Sequence, residues 1–302
     1  MKNIIFYTIS DFNFNCGGLV VQYELARNLY NLGVDVKIIA PNKISNPIFN
    51  NFYKGEPINY ENTVVFYSEG INGNPLNATH VVRWLLAPLG LCSDLNVYKT
   101  YGKNDLVYYF HPEDKFINEA EKVGNIYKLL NLIYVNPLAK NNNLGKRIGT
   151  CYTLRKSHYH KKLQLVHPPN SFNVDSHSSQ LELISHFNKY KYFISYDPLT
   201  FISVIAALCG CISIVKKVDG MSKDEWLKNT AFGDYIKDTG VTTIYGIAYG
   251  SDDLTNAIDT LHLVKQQVED ITDFMINKYV KSFINDMENY DNLTNRVKNI
   301  YY

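Results

Sequence analysis

The stretch KYFISYDPLTFISVIAALCGCISIV, residues 191–215, decides how the chain is organised. Its apolar opening over 192–196 reads as a buried strand, because strands covered on both faces lose the polar alternation of half-exposed ones. Asp197 and Pro198 stop that strand and predict a helix starting there, since Pro is tolerated in a first turn and a preceding Asp can cap its free N–H groups. Phe201, Val204, Ile205 and Leu208 form the apolar stripe of this helix, Gly210 stands where a left-handed residue closes it, and 211–215 supplies the next buried strand.

A strand, helix, strand unit of this kind puts a helix N-terminus at the carboxyl edge of a parallel sheet, where anions bind. Ser195, Tyr196, Asp197 and Thr200 lie at that edge, with Ser203 one turn along, and the set suits a diphosphate and a sugar or ribose hydroxyl. The residues leave a second reading open, in which Asp197 is only an N-cap and Thr200 only a first-turn residue.

The rest of the chain fits around this unit. At 302 residues it has room for two domains of about 150 residues each. Thirty basic against 29 acidic side chains give no sign of a nucleic-acid surface, so any anion site is local. The cysteines, Cys16, Cys92, Cys151, Cys209 and Cys211, are five in number, sit in or beside apolar runs and contain no Cys-x-x-Cys pair; they predict buried thiols in a reducing cytosol. The apolar run over 2–9 is too brief for the core of a signal peptide, and no segment approaches the roughly 18 to 20 apolar residues of a membrane span. A soluble, cytoplasmic protein is expected.

Residues 2–9 read as a first strand, 17–32 as a helix closed by Gly33, and 34–40 as a second strand, a right-handed crossover. Between the first strand and the helix stands a long loop, SDFNFNC, and then only Gly17-Gly18. This is not the G-x-G-x-x-G of a dinucleotide fold, so NAD is disfavoured. The paired glycines still open the helix start to a ligand, or form a tight turn with none. Further strands are predicted over 63–67 and 105–110, with an apolar segment over 81–86 between them ended by Pro88 and Gly90, and the last strand leaves His111 at its carboxyl end as a candidate sugar contact or general base. Polar residues 137–147 predict a hinge, giving an N-terminal domain over 1–146 and a donor domain over 147–267. In the second half, strands are expected over 148–154, 163–167 and 241–245 and helices over 180–187, from 223, and from 253. Arg155 and Lys156 stand at the end of the first of these strands, two cations of the kind a diphosphate needs. The histidines that follow lack the acidic or sulfur partners of a metal site. Val268, Ile271, Met275, Tyr279, Phe283 and Met287 mark a long amphipathic helix within 268–302.

Two crossover halves joined by a hinge, with Cys16-Gly17-Gly18 before ELARNLYNLGVDVKIIA and with Arg155-Lys156 in the second half, resemble the GT-B glycosyltransferases of the large retaining, nucleotide-sugar-dependent superfamily. Those enzymes carry an acidic residue, a spacer, a Glu, then small residues and Gly; Asp197 and the run 206–210 match, while Ile205 stands at the position of the Glu that usually holds the ribose. VVRWLLAPLG and KNDLVYYF look like segments of polysaccharide-building glycosyltransferases in bacteria and large DNA viruses. The resemblance implies an α/β fold, two Rossmann-like domains facing across a cleft, with the last helix crossing back to the first domain. It implies a nucleotide-diphosphate sugar as donor substrate, a glycan or lipid-linked acceptor, no nucleic acid, no metal, and contact with a membrane surface only where the acceptor is a lipid. Arg155 and Lys156 would hold the diphosphate, with Thr200 or Ser203 standing in for the missing Glu. The rival readings are an epimerase or hydrolase on the same fold, and a binding protein without turnover.

Overall fold

The structure, a computed structural model, describes residues 2–91, 93–111, 127–143, 145–155, 157, 160–176 and 179–294. The chain divides into two compact units, one of 1–134 with 274–302 and one of 135–273.

Unit 1 is built on an all-parallel sheet. Its strands are β1 (Asn3–Tyr7), β2 (Val36–Ile39), β3 (Thr63–Ser68), β4 (His80–Leu85), β5 (Leu106–Tyr109) and β6 (Tyr127–Leu129), in the order β2-β1-β3-β4-β5-β6. Every residue of β4 is buried, as are five of the six in β3, which is why these runs lack polar alternation. Helix α1 (Gly17–Asn31) crosses between β1 and β2 and buries Leu19, Val20, Tyr23, Leu25, Ala26 and Leu29. Gly33, at φ +88°, closes it. A buried guanidinium stiffens the loops at one face of this sheet: Arg83 Nε lies 2.7 Å from Asp105 Oδ2, Nη1 donates to Ile71 O at 3.0 Å, and the group is held between the rings of Tyr67 and Tyr101.

Unit 2 repeats the plan with β7 (Thr150–Thr153), β8 (Phe172–Asn173), β9 (Tyr192–Ser195), β10 (Ile212–Val215) and β11 (Ile247–Tyr249), all parallel, in the order β11-β10-β9-β7-β8. Its helices are α2 (Gln180–Lys189), α3 (Ile202–Leu208), α4 (Lys223–Asn229), α5 (Gly233–Thr239) and α6 (Leu254–Thr260). Cys151, Phe187, Phe193, Ala206, Cys209 and Cys211 pack into one core cluster. Gly210 takes the left-handed position at φ +84° that the sequence required.

Four local expectations need correction. Helix α3 starts at Ile202, not at Pro198, because Asp197 Oδ1 accepts from Leu199 N at 3.0 Å and Thr200 Oγ1 from Ile202 N at 3.3 Å, so side chains close two turns where the first helical turn would be. Residues 163–167 are loop, exposed over 163–166 and half-buried at His167, and β11 begins at Ile247, after Gly246 at φ +70°, instead of spanning 241–245. Cys16 is exposed, whereas Cys151, Cys209 and Cys211 are buried; Cys92 lies outside the described residues.

The apolar repeat near the chain end forms α7 (Val264–Met275), a π-helical turn over Ile276–Val280, and α8 (Lys281–Glu288). Within unit 2, Gln267 of α7 takes the Tyr245 amide on Oε1 at 2.7 Å. Within unit 1, Phe283 meets Phe66 and Tyr108 edge to face, and Asp286 receives the Tyr108 hydroxyl at 2.8 Å and Lys128 Nζ at 2.6 Å. Among the described residues no helix is long and apolar enough to cross a membrane.

Candidate functional site

Topology marks one crevice in each unit. In unit 2 the chain leaves β7 for β8 on one side and leaves β9 for β10 on the other. Where crossovers diverge in this way, the carboxyl ends of the two strands flank a space that ligands of open α/β sheets occupy. The strands are paired there, Thr153 with Ser195, and Tyr196 N donates to Thr153 O at 3.2 Å. The segments that lead out are Leu154-Arg155 and Tyr196-Asp197.

Arg155 keeps 46% of its side chain exposed, with Nε 3.5 Å from Asp175 Oδ1. Asp175, which the sequence reading missed, accepts the Leu154 amide on Oδ2 at 2.7 Å and the Thr153 hydroxyl on Oδ1. One carboxylate thus fixes the backbone under Arg155 and orients its guanidinium. Lys156 lies outside the described residues.

On the facing strand end, Asp197 is 2% exposed, and its backbone is clamped by Ser195, whose Oγ donates to Asp197 O at 2.7 Å and accepts from Asp197 N at 3.2 Å. Trp226 Nε1 donates to Pro198 O at 2.7 Å and so braces the same turn. Thr200 is half-buried at the turn's end. Ser203 is buried, its Oγ without a hydrogen-bond partner among the described residues, against a cavity of about 30 Å³ lined also by Trp226 and Phe232. Tyr196 is fully buried, and its hydroxyl accepts from Val166 N at 2.7 Å and lies 2.9 Å from His167 Nδ1, so it anchors the 160–167 loop. Ile205 packs on the core cluster. Along the same edge Lys217, half-exposed beside Gly250, is paired with Asp252 at 2.6 Å and adds a cation that was not anticipated.

Unit 1 diverges between β1, which leads to β2, and β3, which leads to β4. The chain leaves β1 through the loop that ends at Gly17 and Gly18. A Cβ at Gly17 would meet nothing within 4 Å, and one at Gly18 would lie 3.4 Å from Leu86 Cδ1. Cys16 makes no side-chain bond to the first turn of α1. Beyond the end of β3 stands Glu69, 7% exposed, its Oε2 accepting from Leu86 N at 3.1 Å. Burial raises its carboxyl above the usual carboxylate range. The sequence reading missed Glu69 because strand order, unreadable along the chain, is what brings the end of β3 beside the end of β1. His111 stands apart from this crevice, half-buried at the carboxyl end of β5, edge-on to Phe110 with ring centroids 5.1 Å apart. Among the described residues no group of three His, Cys, Asp or Glu side chains is placed to hold a metal ion.

Two all-parallel Rossmann-like units of this construction define an α/β fold of the GT-B class. An α-glucosyltransferase in complex with UDP matches at a TM-score of 0.52 and 10% identity, over 95% of this chain and 100% of that one. Also similar are a sucrose-phosphate synthase from Thermosynechococcus elongatus, at 0.45 and 9% identity over 100% and 98% of the two chains, and a T4 phage BGT variant in complex with UDP-glucose, at 0.45 and 11% over 98% and 99%. No protein-family model and no curated protein sequence matches the chain.

Proposed function

We propose that the protein is a glycosyltransferase that moves a sugar from a nucleoside-diphosphate sugar to a glycan or lipid-linked acceptor, without a divalent metal. The observation that carries this reading is the half-exposed Arg155 at the divergence of the unit 2 sheet, on a backbone that Asp175 locks. A cation held there suits a leaving diphosphate, whose charge must be stabilised as the glycosidic bond breaks. Lys156 adds a second charge, and Asp197 and Thr200 shape the turn against which donor hydroxyls or phosphate oxygens rest. Gly17 and Gly18 let a substrate approach the α1 backbone, and His111 is retained as a proton-transfer candidate. Likeness in fold to a UDP-binding transferase supports the same reading.

The test is a binding panel of UDP-, GDP-, TDP- and CMP-sugars on the wild type and on Arg155→Ala. Loss of a charge-assisted hydrogen bond of about 1.5–3 kcal/mol weakens the preferred donor roughly ten- to a hundredfold. Unchanged affinity in the variant would remove Arg155 from the site. The position of Ile205, packed on the core cluster, favours one second reading: a protein that binds the nucleotide sugar without turning it over. Saturable donor binding with neither released nucleotide nor glycosylated product would select it.

A further inference from the structure

We propose that the loop over 160–167 docks the protein on an anionic lipid surface. The inference does not depend on sugar transfer. Residues 155–170, RKSHYHKKLQLVHPPN, carry Arg155, Lys156, Lys161 and Lys162 and no acidic residue, in a chain whose net charge is only +1. Within the loop, Lys161 and Lys162 are exposed and are followed by three exposed aliphatic side chains, Leu163 at 40%, Leu165 at 55% and Val166 at 52%. Aliphatic groups in water beside exposed lysines, in a segment that holds no acidic residue of its own, match a bilayer interface, where acyl chains take the former and lipid phosphates the latter. A nucleic-acid backbone would use the lysines and leave the aliphatic side chains without a partner.

The loop backbone is fixed at both ends, so these side chains are presented by a built feature. At one end His160, 7% exposed, sets Nε2 3.0 Å from Tyr196 O. At the other, Val166 N donates to the Tyr196 hydroxyl and the His167 ring stacks on Tyr152 with centroids 3.6 Å apart. Among the described residues Leu163, Leu165 and Val166 are not members of these two core clusters of unit 2, and burying them in a membrane interface removes apolar surface from water.

The experiment is co-sedimentation of the full chain with phosphatidylcholine vesicles, with and without about 30% phosphatidylglycerol. Binding is expected to the anionic vesicles alone and to fall as salt is raised. Lys161→Glu with Lys162→Glu should lower the partition coefficient at least about tenfold, and Leu165→Asp with Val166→Asp should abolish binding while the melting temperature stays that of the wild type. As an independent reading, Leu165→Trp should blue-shift its emission on anionic vesicles. No binding, equal binding to both vesicles, binding that neither double variant changes, displacement by a DNA duplex, or a dimer that the same variants dissolve would each overturn the proposal.

Discussion

Thr153 and Leu154 leave β7 with a hydroxyl and an amide that a single carboxylate, Asp175, satisfies, and the same carboxylate reaches Arg155. Glu69 has the opposite surroundings. Its carboxyl is buried, it accepts from the Leu86 amide, no cation pairs with it among the described residues, and burial raises its affinity for a proton. A folded pKa above the unfolded one means that the native state binds the proton more tightly. The resulting stabilisation is complete below the unfolded value near 4.3 and is lost as pH rises through the folded value. Glu69→Gln removes that dependence. In urea titrations between acid and neutral pH, the variant should gain on the wild type as pH rises; a constant difference would show that Glu69 carries the same pKa folded and unfolded. These two acids also show what one-dimensional reading misses. Arg155 stood out as a cation after a strand, but its carboxylate partner comes from after the next strand, and Glu69 matters through a neighbour, β1, more than fifty positions earlier.

At the scale of elements, the strand, helix, strand unit was legible because burial on both faces leaves a compositional mark and because Gly210 has no substitute. A Cβ at Gly210 would lie 2.6 Å from Asn141 Nδ2 and 2.9 Å from Arg147 Nη2, on a backbone at φ +84°. Gly210→Ala should therefore cost about 1–3 kcal/mol, read as a lowered denaturation midpoint. The start of α3 was not legible, since Asp before Pro serves a cap and an Asx turn equally well and only the position of the Leu199 amide separates them. Nor was the 160–167 loop: Leu-Gln-Leu-Val has strand composition, but no strand among the described residues pairs with it. That loop should loosen in acid. Desolvation lowers the His167 pKa, so its neutral form is favoured in the fold; the stabilisation is present above the unfolded value near 6.5 and is lost as pH falls through the folded value. A protonated Nδ1 can no longer accept from the Tyr196 hydroxyl, so amide exchange at Val166 should accelerate as pH drops from 7 to about 5, beyond the intrinsic chemical trend. Exchange that follows only the intrinsic trend would sever the loop from His167.

At the scale of the whole molecule, each unit has its own sheet, its own core and its own reporter. The two tryptophans divide between them, Trp84 in unit 1 and Trp226 in unit 2, and both are buried. Trp84→Phe and Trp226→Phe leave one fluorescent probe per unit. A donor held by unit 2 at about 100 times its Kd adds about 2.7 kcal/mol to the state that binds it. It should raise the midpoint reported by Trp226 more than that reported by Trp84; equal shifts would mean that the units unfold as one.

The π turn over Ile276–Val280 has a consequence for how the chain tolerates change in length. Ile271, Met275, Tyr279, Phe283 and Met287 are spaced every four residues and are all buried. On an unbroken α-helix each such step would carry the stripe about 40° around the axis. A wider turn winds less per residue and brings the phase back, so that Phe283 and Asp286 still face the sheet of unit 1. The arrangement is what a one-residue insertion leaves when both flanks keep their partners. Removing one residue from 276–280 would therefore leave an ordinary helix with Asp286 still turned to Tyr108 and Lys128, whereas removing one from 281–284, inside the regular helix α8, would rotate everything after it by about 100° and turn Asp286 away from both.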